Sequence, residues 1–583
     1  MLYDTQTMPM RPFTLLALGL CLSLMGLPAR AASPDTYTSV NIRDFESIDP
    51  AWVYGFGEQI PANLYDKLVD YHGASVDRFD PMLSEKVPSK QNKLISADGM
   101  TYRFPIRKGV AFHDGSALTP EDVRYSLLRF MLMDRAGGPS AQLLEPILGV
   151  ESTRAGGKLR PDILSRAQKA VSVDGDGVVI RLVKAFPPFV SVLAHTGYIQ
   201  SKAWCVAHGS WDGTAAGLAA FNDLKQNPLD DLENGTGPYV LERWDKKTAT
   251  LLLARNDRYW RPPAAFKRVV IKTLVDLNTR RMMLQGADAD DSYLPQPMRA
   301  LADGTPGTVV LGPFAGINME LLEFRMKINP TRNPDIGSGK LDGQGIPPDF
   351  FTDLEVRKAF ACSLDYDAIV KDILKGQAAK ARGILPETLF DYPKDTGYRF
   401  DLAEARAHLQ KAWNGEAWKN GFRFILGYPS GNELRAGAAA MLKRNLEQLN
   451  PKIKIDVMPF LPGTILQHRG EKWSPIMMMT LSPDYPEAQS YVGDDYLEEM
   501  GYANKSLERL AAKAAAADGA ERRRLIARYV DLFRDDVAVI PLVQTAGARW
   551  QRSDIAGYVF NPMFPGGPAS SYYYDLRRIS PTK

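Results

Sequence analysis

The residues best suited to chemistry in this 583-residue chain are few, and they are scattered. The segment Asp484-Tyr485-Pro486-Glu487 places two carboxylates and an aromatic ring within four positions. By spacing alone, Asp484 reads as the cap of a following turn. A carboxylate in a closed, water-poor cleft would instead require a cationic partner, because burying it unpaired is costly. Tyr485 could stack on a bound molecule or pack inside its own lobe. Arg43 follows an early strand, where it could meet a carboxylate or simply face solvent. The six histidines (His72, His113, His195, His208, His408 and His468) lie far apart in sequence. Neither HExxH nor CxxC occurs, so sequence spacing supports no zinc site. There is no GxSxG nucleophile elbow and no phosphate-binding P-loop. Gly337-Ser338-Gly339 lies in a Gly/Pro-rich loop without a strand before it. His113, inside Phe112-His113-Asp114-Gly115, reads as a hydrogen-bonded turn residue. Arg357 reads as a structural helix residue.

The elements that would position these groups follow from local pattern. Asp98-Gly99 and Asp114-Gly115 are turns around alternating residues. Tyr102, Phe104 and Ile106 share one face of a strand there. Thr119-Pro120-Glu121-Asp122 then opens a helix, with a capping-box acid at Asp122 and proline at the first helical position. Residues 171–182 form a hairpin around Asp and Gly. Gly235-Thr236-Gly237-Pro238-Tyr239 leads into a second hairpin that closes at Asn256-Asp257-Arg258-Tyr259-Trp260. Leu64 to Val69 reads as the end of a helix. Residues 329–349 read as an exposed loop. Beyond them, helices over 353–370, 402–413 and 436–449 alternate with strands over 422–428 and 453–457, which is an α/β pattern. A helix pair covers 507–517 and 522–533. Val537 to Val543 reads as a strand, and Pro541 suggests a sheet edge or a strand end.

Taken in order, residues 98–123, the GTGPY hairpin with its Asn-x-x-Tyr-Trp close, and a strand, Asp276-Leu277-Asn278 and helix crossing resemble the family 5 extracellular solute-binding proteins. These are the peptide- and nickel-type receptors of bacterial ABC importers. The resemblance runs from about Val40 to Tyr574. It implies an α/β, two-lobe periplasmic binding protein fold (type II, peptide-receptor group) with an extra N-terminal subdomain. Lobe one would comprise 33–274 and 538–583, with the subdomain near 70–185. Lobe two would span 275–537, and both crossovers would act as hinges. In the peptide-binding members, a segment like Asp484-Tyr485-Pro486-Glu487 supplies an Asp that pairs with the ligand's α-ammonium. The tryptophan those members carry three positions earlier is replaced here by Leu481, flanked by Thr480 and Ser482. The second acid-Pro step is also missing. The ligand-binding set expected from this resemblance is Asp484, Tyr485, Leu481 and Arg43.

The implied function is capture of a peptide between the lobes and its delivery to a membrane permease served by separate ATPase subunits. Related receptors take opines, sugars, nickel or haem complexes, so those ligands remain open. An exported hydrolase is the competing class, to be recognised by turnover. A regulatory sensor is a third, although cytoplasmic regulators of this type carry a DNA-binding module at the end where this chain has a signal-like segment.

Composition agrees with a soluble receptor. Lys and Arg number 71 against 68 Asp and Glu, and a net charge of +3 gives no nucleic-acid or membrane-surface signature. No cofactor and no metal are expected, and a monomer is. Residues 1–31 read as a secretory signal peptide, with Arg11, an apolar run from Phe13 to Leu27 and a small-x-small end at Ala29 to Ala31. The mature chain would then reside in the periplasm. Of the cysteines left after cleavage, Cys362 is expected to be buried on a helix and Cys205 unpaired.

Overall fold

The fold is organised by one mixed sheet whose strands come from distant parts of the chain. In chain order they are β1 (Thr36–Asn41), β2 (Tyr239–Asp245), β3 (Thr250–Arg255), β4 (Arg268–Thr273), β5 (Asp291–Ser292), β6 (Thr308–Phe324), β7 (Ala378–Lys380), β8 (Ile476–Leu481) and β9 (Val539–Arg552). Their spatial order is β8-β6-β9-β5-β1-β4-β3-β2, with β7 also paired to β9. The computed structural model describes residues 35–42, 45–222, 225–294, 296–390, 397–491, 499–517, 519–563 and 579–582. Arg43, the proposed signal peptide and the end of the matching region at Tyr574 lie outside the described residues.

At one end of the sheet, β1 and β4 run parallel while β4, β3 and β2 form an antiparallel meander. Tyr37, Leu251, Leu253, Val269 and Ile271 bury the inward face. At the other end, β6 pairs with β8 and β9. There Leu321, Leu322, Phe324, Ile540 and Val543 join the largest apolar cluster. That cluster also takes in the helices Leu354–Cys362, Leu402–Lys411 and Glu433–Leu449 and the parallel strand pair Arg423–Pro429 and Lys454–Phe460. The alternating strand and helix pattern of this half is therefore realised as an α/β layer.

A separate three-stranded sheet, Thr101–Pro105 with Gly177–Arg181 and Val171–Asp174, builds the subdomain. The helix Pro120–Met133 covers it, and Phe104, Val123, Leu127, Met131, Val178 and Ile180 share its core. The capping box forms as its spacing requires. The Thr119 Oγ1 accepts from Asp122 N at 3.3 Å, and Asp122 Oδ2 accepts from Thr119 N at 2.9 Å.

The GTGPY turn and the Asn-x-x-Tyr-Trp close of its hairpin converge on one buried carboxylate. Asp66 accepts hydrogen bonds from Thr236 Oγ1 (3.0 Å), Tyr259 Oη (2.9 Å) and Trp260 Nε1 (2.8 Å). Thr236 belongs to the GTGPY turn and the two aromatics to the Asn-x-x-Tyr-Trp close. His113 stands beside them, hydrogen-bonded through Nδ1 to Glu233 at 2.7 Å and through Nε2 to the Gly237 carbonyl at 3.0 Å, in keeping with a turn residue. Gly235 and Gly237 lie against the Leu64 carbonyl, so closely that a Cβ at either position would overlap it. These motifs fasten the hairpin to the helix Pro61–Leu64.

Several expectations are revised in detail by the fold. The helix ends at Leu64 and does not continue to Val69. Tyr65 is extended, and Val69–Tyr71 becomes a strand paired with Phe79–Pro81. The Leu64 carbonyl is taken by Gly237 N at 3.0 Å, which leaves no place for another helical turn. Residues 329–349 form no helix or long strand, and the loop is largely exposed as expected, but it is anchored at two points. Ile336 and Ile346 plug the main core, and Ile346 N donates to Ile336 O at 3.0 Å. Pro541 does not mark a sheet edge, but it does lie near a strand end, as the third residue of β9. β9 is an interior strand 14 residues long, and the proline is accommodated where its register against β6 shifts, between Glu320 and Leu321. Cys205 is unpaired as expected, whereas Cys362, at the end of its helix, is less enclosed than expected. Cys205 is buried, Cys362 is half-buried, and both are free thiols. Arg357 is structural as read, donating to the Phe351, Thr352, Asp536 and Val537 carbonyls.

Candidate functional site: a carboxylate shared across the cleft

The strand β8 ends at Leu481, and the chain then turns through Ser482-Pro483 into the loop that carries Asp484. Leu481 pairs with Met319 of β6, and its side chain packs into the main apolar cluster, so it stands behind the loop. The loop is held from within. Asp484 N donates to Ser490 Oγ at 2.9 Å, and Glu487 is paired with Arg522 at 2.6 Å. Glu487 therefore serves the loop's anchorage, which leaves Asp484 as its forward-facing acid.

The half-buried Asp484 carboxylate reaches residues hundreds of positions away. Its Oδ1 accepts from Tyr54 Oη at 2.7 Å and from Gln142 Nε2 at 2.9 Å. Tyr54 precedes the short helix Gly55–Gln59, and Gln142 lies in the first turn of Ala141–Leu148. Both belong to the half of the molecule opposite β8. Desolvation first, and then the Asp484 carboxylate, push the Tyr54 phenol far above its ordinary value, so it remains a donor. Tyr485, next along the loop, meets Phe186 edge to face with ring centroids 5.2 Å apart. Its ring therefore packs on the opposite half, while part of it still faces the space described next.

Tyr54, Gln142, Glu145, Phe186, Asp484 and Tyr485 line a cavity of about 860 Å³. Small-molecule sites commonly fall between about 300 and 1,000 Å³. Arg154, Arg160 and Lys184 line the same space and add positive charge. Close by, His195 closes the helix Phe189–Thr196 and is fixed through Nδ1 to the Met563 carbonyl at 2.9 Å. Burial holds its pKa below the ordinary histidine value. The Asp484 charge opposes that shift and Lys67 adds to it. His195 is thus a neutral ring within the electrostatic reach of Asp484.

The structure brings Asp484 and Tyr485 to this cavity and keeps Leu481 in the core. Tyr54, Gln142 and His195 are the residues that sequence reasoning missed. Tyr54 and Gln142 stand 430 and 342 positions from Asp484, and no local pattern marks them. Among the described residues, one grouping of His, Cys and acidic side chains has metal-ligand spacing, and it lies on a helix pair away from these lining residues.

Residues 81–499 match the family described as bacterial extracellular solute-binding proteins, family 5 middle. The glutathione-binding protein GsiB of Salmonella choleraesuis (strain SC-B67) is 24% identical over 567 residues, covering 94% of this chain and 96% of that protein. GsiB of Escherichia coli O157:H7 is 22% identical over 564 residues, with the same coverage. Among solved structures, the periplasmic binding protein DppA of Helicobacter pylori, in complex with the peptide STSA, superposes with a TM-score of 0.68 at 20% identity, covering 94% of this chain and 98% of that one. NikZ of Campylobacter jejuni, in complex with Ni(L-His), gives 0.67 at 16% identity, covering 94% and 99%. These similarities establish the two-lobe fold over nearly the whole chain.

Proposed function

The chain belongs to the bacterial extracellular solute-binding proteins of family 5, and from that premise we propose that it is the peptide receptor of an ABC importer, with Asp484 as the acceptor for the ligand's ammonium group. The family consists of binding receptors, not enzymes. Its members are periplasmic or extracellular. No helix among the described residues is long and apolar enough to cross a membrane. A signal peptide over residues 1–31, a periplasmic monomer and a permease with separate ATPase subunits complete the proposal.

The observation that carries it is the position of the Asp484 carboxylate. It is held by neutral donors alone, Tyr54 and Gln142, which come from the other half of the molecule. Those donors orient the carboxylate without neutralising its charge, so a cationic group entering the cleft gains Asp484 as a direct ionic partner. Tyr485 offers a ring face beside it. Leu481 backs the loop, and Arg43, two positions after β1 in the sequence, is kept as a contact for a ligand carboxylate. Contacts from both halves couple binding to closure, and the shift toward the closed state is bounded by the ligand's differential affinity for it.

The apolar clusters also bear on the lobe boundaries. Lobe one is proposed as 33–274 plus 538–583 with the inserted 70–185, and lobe two as 275–537. Leu284, Ala289, Leu294 and Ala302 nevertheless pack with Val40 and Trp550. That packing supports moving the two crossovers inside the long strands, to about 312–318 and 544–547.

Calorimetry with free-amine peptides, glutathione included, tests the site. Asp484→Ala is expected to lose about 2 kcal/mol, roughly thirtyfold in Kd, and N-acetylation of the ligand should cost the parent a similar amount. Equal Kd for parent and variant, with the parent indifferent to acetylation, would remove Asp484 from the site.

A further inference from the structure

We propose that Cys362, Glu404 and His408 form a zinc site on the outer helix pair of the larger α/β half. The helix Leu354–Cys362 ends at the thiol, and the helix Leu402–Lys411 presents Glu404 and His408 one turn apart on one face. The two helices pack side by side. Asp401, which caps the second helix, donates its backbone N to the Cys362 carbonyl at 2.9 Å, and this brings the thiol to the first turn of its neighbour. The sulfur, a carboxylate oxygen and an imidazole nitrogen all lie within 4.8 Å of one another. His408 Nε2 is 3.6 Å from Glu404 Oε1. Ligands on a tetrahedral zinc ion, with bonds of about 2.0–2.3 Å, sit about 3.5 Å apart, so small side-chain rotations close the set.

A second observation shows which way the imidazole faces. His408 Nδ1 lies 2.8 Å from Glu355 Oε2, on the neighbouring helix. A carboxylate there accepts from Nδ1–H, and the lone pair of the neutral ring is then on Nε2, toward Glu404 and Cys362. Metal-ligating histidines commonly carry such a carboxylate behind them, which fixes tautomer and ring angle. Burial opposes ionisation of Glu355, but the hydrogen bond from His408 prevails and keeps its pKa below the ordinary value. Burial, followed by the Glu404 and Asp401 charges, pushes the Cys362 thiol up to about 12. A dication would reverse that balance, with the thiol proton leaving to solvent as the sulfur–metal bond forms. The mixed S, N, O donor set suits Zn²⁺ and not the all-oxygen ions Mg²⁺ or Ca²⁺. One tetrahedral position is left for water. Lys358, 3.8 Å from Glu355, is the nearby cation that would compete.

The test uses the purified, chelator-treated and dialysed protein. Titration with ZnCl₂ should show one saturable equivalent, and CoCl₂ should produce a near-ultraviolet thiolate-to-cobalt band. Cys362→Ala and His408→Gln should abolish both signals, Cys205→Ala should preserve them, and Glu355→Gln should weaken zinc by about 10- to 100-fold. Zinc should also slow maleimide labelling of Cys362 in the parent, a readout that needs no variant. The absence of saturable zinc uptake and labelling protection by the parent, or unchanged affinity in both folded ligand variants, would overturn the site.

Discussion

Asp484 and Glu323 show how differently two acids are treated by one fold. Asp484 is half-buried and receives two oriented donors. Glu323, on β6, is fully enclosed, and neither carboxylate oxygen accepts a hydrogen bond. Desolvation raises its pKa well above the ordinary glutamate value, against the opposing charges of Arg469, Arg325 and Arg435. The folded state therefore binds a proton that the unfolded chain has already released above about pH 4.5. Stability contributed at this position is intact at low pH and declines as pH rises toward the folded-state value. Glu323→Gln should remove that decline. In urea titrations from pH 4 upward, the variant's stability relative to the parent should increase with pH. A constant difference would show that Glu323 is ionised in the fold. Neither behaviour is visible in the sequence, where Glu323 is one acid in an apolar run and Asp484 one acid beside a proline. What distinguishes them is tertiary enclosure, and for Asp484 the partners are Tyr54 and Gln142, which no local spacing could nominate.

At the scale of elements, the legible features were those whose cause is local. The capping box at Thr119, the 171–182 hairpin and the GTGPY turn each depend on neighbours within a few residues, and each forms as its spacing dictates. The errors came where a distant segment intervened. The helix expected to reach Val69 is stopped by the GTGPY backbone seated on Leu64, and the otherwise exposed loop over 329–349 is pinned to the core by Ile336 and Ile346. The long strand β6 was not anticipated, since its run is interrupted by Gly312-Pro313 and by register shifts against β9. The docking of the GTGPY turn is itself testable. Gly235→Ala would drive a methyl group into the Leu64 carbonyl, and it should cost at least about 2 kcal/mol of stability by urea denaturation. A negligible change would mean that Pro61–Leu64 can yield. Gly431 has φ +82° but no atom within 4 Å of an added Cβ, so Ala there gives the backbone-strain cost alone for comparison.

For the whole molecule, the resemblance read from ordered motifs and the two-lobe fold agree over nearly the full chain. The motifs that carried that recognition are largely scaffold. Thr236, Tyr259 and Trp260 meet at Asp66, and none of them lines the cavity beside Asp484. That separation is why the receptor class was legible while the ligand was not. Closure is the behaviour to measure at this scale. Small-angle scattering should show a smaller radius of gyration with a confirmed ligand than without it, and Asp484→Ala should need more of that ligand for the same change. Superimposable profiles for parent protein with and without ligand would contradict hinged capture.

One further consequence lies in how β6 and β9 are joined. β6 occurs before residue 325 and β9 after residue 538, yet the two are hydrogen-bonded from Thr308 opposite Arg552 to Glu323 opposite Val539. A peptide bond cut at 340 would therefore leave an N-terminal and a C-terminal fragment zipped together through the middle of the sheet. The nicked protein should migrate as one species in native gel filtration and as two only after denaturation, because backbone pairing between the fragments outlasts the covalent thread.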